Sequence, residues 1–276
     1  MDRRRDCILL LALTAGVGAA VIGAGAGQGV ASASETELLR PFVPAVSMDK
    51  DRRLALEKFA QQTGVAPGGL REQLGATGLV RCGAATGTGQ LTVRNDIITT
   101  AAHVLIDQFG KRRIGCVFEP TIAGGGPVPI NYDSITTGST MPLSERATRD
   151  WAVARLVAPV PGVTAYGVGS ASESPTAIIM CAGGNQAHGA MGTEQCSTRR
   201  VIGAASDGIR ELAIDCTAGP GSSGAALIAG NKVVGIYVGY RSSDPAKAQA
   251  FSANHYNFAI TVDGPFRRAL FSAAKH

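Results

Sequence analysis

Aromatic side chains are scarce, 5% of 276 residues with a single tryptophan, and charged residues make up only 17%. Glycine, by contrast, reaches 36 residues. Long helices stacked through large side chains are therefore not expected; many turns and small packing residues are. The net charge of +5 comes from scattered residues rather than a long basic tract. A run such as Lys111-Arg112-Arg113 reads as a solvated face, which argues against nucleic acid as a partner. There are four histidines, and none lies beside a cysteine pair, so no metal cluster emerges. Gly87-Thr88-Gly89 lacks the spacing and the following helix of a dinucleotide fingerprint. No internal repeat is visible, and no cofactor is expected.

The N-terminus carries what the rest of the chain lacks, an apolar run behind a positive flank. Arg3-Arg4-Arg5 precedes Cys7–Leu13, and small residues extend the run to Ala26. Ala31-Ser32-Ala33 fits a signal-peptidase site. Residues 1–33 are read as a signal peptide, and the protein as secreted or periplasmic. After cleavage no stable membrane association is expected; the competing reading is an uncleaved anchor over Ile8–Ala26. Residues 34–75 form an N-terminal extension or propeptide, with an amphipathic helix expected over Met48–Gln62 and broken by Gly64, Pro67, Gly68 and Gly69. The main domain is residues 76–276.

Within that domain, short apolar runs alternate with turn residues. Candidate strands are 79–84, 91–93, 97–100, 116–118, 128–130 and 151–157, then 177–181, 201–202, 209–214, 225–228, 232–240 and 258–262. Thr86–Gly89 is expected as a turn, and Asn95-Asp96 as a hairpin turn. Pro265–Ala274 reads as a helix, with Phe266, Leu270 and Phe271 on one side. About a dozen short strands argue for an all-β fold of two small antiparallel barrels and a final helix.

Three stretches carry chemistry: IITTAAH at 97–103, RDWAVARL at 149–156 and CTAGPGSSGAAL at 216–227. They deliver His103, Asp150 and Ser223 in that order, each at the edge of a strand-like run. A serine hydroxyl is a poor nucleophile until a base takes its proton, and histidine titrates near neutrality. An aspartate on the far ring nitrogen fixes the tautomer and stabilises the imidazolium.

These residues resemble the trypsin-like, chymotrypsin-fold serine peptidases over roughly residues 79–274. GTGQLTV at 87–93, TTAAH, DWAVARL and GIYVG at 235–239 are similar to the bacterial glutamyl-endopeptidase-like branch. The resemblance implies two antiparallel six-stranded β-barrels with a C-terminal helix. It assigns the triad to His103, Asp150 and Ser223, and the oxyanion hole to the amides of Gly221 and Ser223. Ser222 takes the variable place in Gly-x-Ser-Gly. The substrate pocket maps to Thr217, Ala218, Tyr237 and Gly239. That branch often has a threonine where this chain has Ala218 and a histidine where it has Tyr237, so acid specificity does not carry over. Removal of the signal segment leaves five cysteines; Cys82 with Cys116 and Cys196 with Cys216 would bracket the two catalytic segments, with Cys181 left over. The implied activity is that of a serine endopeptidase hydrolysing polypeptide substrates through an acyl-enzyme. The alternatives are a catalytically inactive peptide-binding homologue, or an esterase using the same triad.

Overall fold

The computed structural model describes residues 50–172, 174–184, 189–245 and 247–275. The expected signal segment 1–33, residues 34–49 of the extension, His188 and His276 lie outside the described residues.

Leu54 forms an isolated bridge, exchanging both backbone hydrogen bonds with Thr193 at 2.8 Å. The helix expected from Met48 begins only at Leu56: α1 spans Leu56–Thr63 and buries Phe59 and Ala60. Gly64, in the left-handed region at φ 71°, ends it and returns its N–H to Ala60 O. Helix α2, Pro67–Leu74, starts on a proline and buries Leu70 and Leu74, four residues apart. Helix α1 packs on β10 of the C-terminal half, residues Met191–Ala204.

The N-terminal sheet contains β1 (Thr77–Cys82), β2 (Ala85–Leu91), β3 (Ile97–Thr100), β4 (Val117–Glu119), β5 (Val128–Pro129), β6 (Thr136–Thr137) and β7 (Ala152–Arg155). Their order is β5-β4-β1-β2-β3-β7-β6. The C-terminal half contains β8 (Gly167–Val168), β9 (Thr176–Gly183), β10, β11 (Arg210–Ile214), β12 (Ala226–Ala229), β13 (Lys232–Ser242) and β14 (His255–Thr261). Here the order β12-β9-β10-β11-β14-β13 closes through β12–β13 pairing, and β8 adds in parallel to β13.

The expectation of two closed six-stranded barrels is therefore corrected. The all-β architecture, one closed six-stranded barrel and the C-terminal helix are present. The N-terminal half is an open seven-stranded sheet. Its β5 end meets β7 only through the single bridge Ile130↔Leu156, not through a ladder. Two-residue strands such as β5 and β6 offer too few backbone pairs to complete a ring.

Alternate residues of the barrel strands feed two apolar clusters. Met180, Leu212, Leu227, Tyr237 and Ala259 form one, while Ile228, Ile236, Phe258 and Ile260 join the larger core shared with the N-terminal sheet. After a single helical turn, α3 (Ala102–Leu105), the last helix, α4 (Gly264–Ala273), buries Phe266 and Leu270, whereas Phe271 stays exposed. Phe266 stacks on Trp151 with ring centroids 5.1 Å apart, tying the helix to the start of β7.

The predicted turn Thr86–Gly89 is instead the middle of β2. Its glycines answer to close approach: a Cβ on Gly87 would lie 2.5 Å from Val104 and 2.9 Å from Ser223 O, and one on Gly89 2.7 Å from Val80. Residues 201–202 are the end of β10, a 14-residue strand. Its polar stretch TEQCSTRR hides it from a hydrophobic pattern.

Candidate active site

Strand β3 runs into a single helical turn, α3 (Ala102–Leu105). Ala102, Val104 and Leu105 are buried, which leaves the His103 side chain at the rim. Strand β7 pairs with β3 through Ile97↔Arg155 to Thr100↔Ala152. Asp150 lies just before β7, capping a 3-10 turn at Ala147–Arg149, and its N–H donates to Ala147 O at 3.0 Å. The register thus sets His103 beside Asp150. The His103 backbone N–H donates to Asp150 Oδ1 at 2.9 Å, and His103 Nδ1 lies 2.7 Å from Oδ2. Asp150 is fully buried. A carboxylate only accepts, so in this contact the Nδ1–H donates to Asp150.

Ser223 lies in the connection between β11 and β12. Gly221 and Gly224 flank the two serines in the left-handed region, at φ 85° and 86°. Ser222 is buried, and its Oγ accepts the Gly219 N–H at 3.0 Å, which turns it into the loop. Ser223 is half-buried, and its carbonyl accepts the Thr88 N–H at 2.8 Å. Thr88 Oγ1 donates to Gly221 O at 2.7 Å and accepts the Gly183 N–H at 2.9 Å. A Cβ on Gly224 would lie 2.2 Å from Thr100 Oγ1 and 2.7 Å from the Ala101 nitrogen. The serine turn is therefore packed onto β2 and the junction that launches His103.

His103 and Asp150 are paired, and the serine turn packs against the same junction through Gly224. Among the described residues no acceptor takes the N–H of Gly221 or Ser223, the two amides assigned to the oxyanion hole.

The expected pocket residues are brought together but closed off. Thr217, Ala218, Tyr237 and Gly239 are all buried, Tyr237 to 1% exposure. The Tyr237 hydroxyl donates to Asn257 Oδ1 at 3.4 Å, and Asn257 Nδ2 donates to Cys216 O at 2.7 Å. Burial pushes the Tyr237 hydroxyl pKa well up. A cavity of about 430 Å³ is lined by Arg81, Thr86, Gly183, Pro220 and Gly221 among others.

Cys82–Cys116 and Cys196–Cys216 are disulfide-bonded, and Cys181 is a free buried thiol. Asp215 lies close to Cys196 and Cys216, but both sulfurs are committed to their disulfide, so this trio offers no metal site. Away from these residues, Ser242 Oγ lies 2.8 Å from His255 Nδ1 and joins β13 to β14.

Sequence reasoning missed Thr88, which ties three parts of the site together, and Arg52, Arg53 and Glu194. Thr88 had a signal, since glycines on both sides mark a close backbone approach. The arginines had none: Arg53 meets Gly183 from 130 positions away.

No protein-family model matches the chain, and no curated protein does. Solved structures do. A Glu endopeptidase in complex with MPD aligns with TM-score 0.60 at 15% identity, over 84% of this chain and 100% of that one. The thermostable serine protease AL20 from an extremophilic microorganism aligns with TM-score 0.52 at 14% identity, over 73% of this chain and 98% of that one. A scabies mite inactivated protease paralogue, S-D1, aligns with TM-score 0.51 at 13% identity, over 68% and 88%. The chain has the chymotrypsin-like serine-peptidase fold. No single branch stands out, because the Glu endopeptidase and the inactivated paralogue are similarly remote in sequence. Shared fold at such identity does not transfer activity.

Proposed function

We propose that the chain is a polypeptide-binding protein on a serine-peptidase scaffold, catalytically silent in the form described. The observation that carries this reading is the closed pocket. Thr217, Ala218, Tyr237 and Gly239, the positions expected to line it, are all buried, and Thr217 and Tyr237 are tied into hydrogen bonds with Glu194 and Asn257. A pocket with no room for a side chain gives Ser223 no positioned carbonyl to attack. A peptide library scored for both binding and cleavage tests it: binding without turnover is expected, and turnover lost in Ser223→Ala would overturn it.

A second reading has specific support of its own. It is a serine endopeptidase, in which the pocket opens to a substrate side chain and His103 serves Ser223 as base. Asp150 holds His103 by its Nδ1 side, Ser222 is turned away, and among the described residues no acceptor takes the Gly221 and Ser223 amides. In that reading Nε2 takes the Ser223 proton as Oγ attacks the peptide carbonyl carbon. The Gly221 and Ser223 amides hold the oxyanion, and the proton passes to the leaving amine. Water then releases the acyl group, returning Ser223. Catalytic hydrogen bonds of this kind commonly tighten only when substrate binds.

A secreted or periplasmic location is part of the proposal. Its support is two disulfides together with the N-terminal apolar run. Cell fractionation with N-terminal sequencing of the recovered protein tests it, and a reduced cytosolic form starting at Met1 would contradict it. Among the described residues no helix is long and apolar enough to cross a membrane.

A further inference from the structure

We propose that Arg53 is a positioning residue for the turn that carries Gly221 and Ser223, so that residues 51–54 belong to the site rather than to a detachable lead-in. Its effect on ligands rests on the reading that a peptide carbonyl docks at that turn; the positioning itself does not.

A guanidinium is costly to bury unless it is paired and hydrogen-bonded. Arg53 is 6% exposed. Asp51 supplies the charge: Arg53 Nε donates to Oδ1 at 3.0 Å and Nη2 to Oδ2 at 2.9 Å. With that fork satisfied, Nη1 is free to reach across the fold, where it donates to Gly183 O at 3.1 Å. Nη2 also stands 3.1 Å from where a Gly219 Cβ would be, at the entrance to the serine turn.

Gly183 is the contact that matters. A Cβ there would lie 2.6 Å from Gly221 O, so the two backbones touch. Thr88 bonds both of them from the other side. The Gly183–Gly221 contact is thus clamped between Thr88 of the N-terminal sheet and Arg53 of the extension. Arg52 grips the other end of the same segment. Its Nε donates to Glu194 Oε1 at 2.8 Å, its Nη2 donates to Asp215 O, and Glu194 Oε2 accepts the Thr217 N–H at 2.8 Å. One dipeptide, anchored by the Leu54–Thr193 pair, therefore braces 215–221 at both ends.

Peptide-resolved hydrogen exchange on the full chain, with Arg53→Ala and Arg53→Lys, tests the proposal. In Arg53→Ala, exchange over residues 217–224 should rise about tenfold or more, while β2 and β3 stay as protected as before. Arg53→Lys, which can reach Gly183 O but cannot fork onto Asp51, should fall between. Affinity for whichever library peptides bind should drop about tenfold in Arg53→Ala, with partial recovery in Arg53→Lys. Unchanged exchange over 217–224, or a rise spread evenly through both halves, overturns the inference. If Arg53→Ala does not fold, the same two outcomes are read from Arg53→Lys. A parent protein that binds no peptide contradicts the proposed function and leaves the exchange result to decide this one.

Discussion

His103 and Asp150 sit at the ends of two strands that pair over four residues, so the β3–β7 register fixes their separation. Ser223 sits outside any ladder, in a turn shaped by glycines and held by contacts to β2, to the His103 junction and to the extension. The N-terminal half thus contributes a pair formed by pairing register. The C-terminal half contributes a residue placed by packing. Backbone ladders tolerate little variation, whereas a braced turn has several neighbours that can each shift it. The half with the open sheet holds the tighter part of the site, and the closed barrel holds the looser one.

The sharpest way to break this comparison is to attack the packing of the serine turn. Gly224→Val forces a branched side chain onto φ 86° and against Thr88 O, 2.4 Å from the new Cβ. It should cost about 4 kcal/mol or more, read as a lowered denaturation midpoint. A change below about 1 kcal/mol would show that the turn is not held by the other half.

Removing a disulfide compares the halves directly. Cys82–Cys116 closes 34 residues in the open sheet and Cys196–Cys216 closes 20 in the barrel. Chain entropy alone assigns each about 3–4 kcal/mol. The pair in the open sheet should cost the more of the two, because its strands lack a closing ladder. Chemical denaturation of the two double alanine variants decides it, and a larger loss for Cys196–Cys216 would reverse the ranking.

The smallest effect concerns Cys181, buried in β9. Burial pushes its thiol pKa up to about 12, against a weaker opposing hydrogen bond with Thr193. The folded thiol stays protonated where an unfolded one, at about 8.5, has ionised. Its contribution is therefore complete below about pH 8.5 and is lost as pH rises toward 12. Alkylation at pH 8 should proceed only as fast as the protein opens. Rapid labelling without denaturant would contradict this.

Much of this was legible from short-range patterns. His103, Asp150 and the Gly-x-Ser-Gly turn lie in local motifs, and the disulfide pairing came with the resemblance those motifs carry. The closed state of the pocket was not legible. Thr217 and Tyr237 are sealed by Glu194, Asn257 and the 50–54 segment, contacts spanning up to 167 positions. Barrel closure was missed for a similar reason. Strand count is a sum of local signals, whereas closure depends on whether β5 meets β7 in a ladder or, as here, in one bridge.

Covalent labelling of the full chain with a fluorophosphonate serine probe, followed by peptide mapping, tests the closed, silent site most directly. No adduct on Ser223 is expected, so that the chain behaves like its own Ser223→Ala variant. A near-stoichiometric adduct on Ser223, lost in Ser223→Ala and His103→Ala but kept in Ser222→Ala, would contradict it and establish the endopeptidase machinery as engaged.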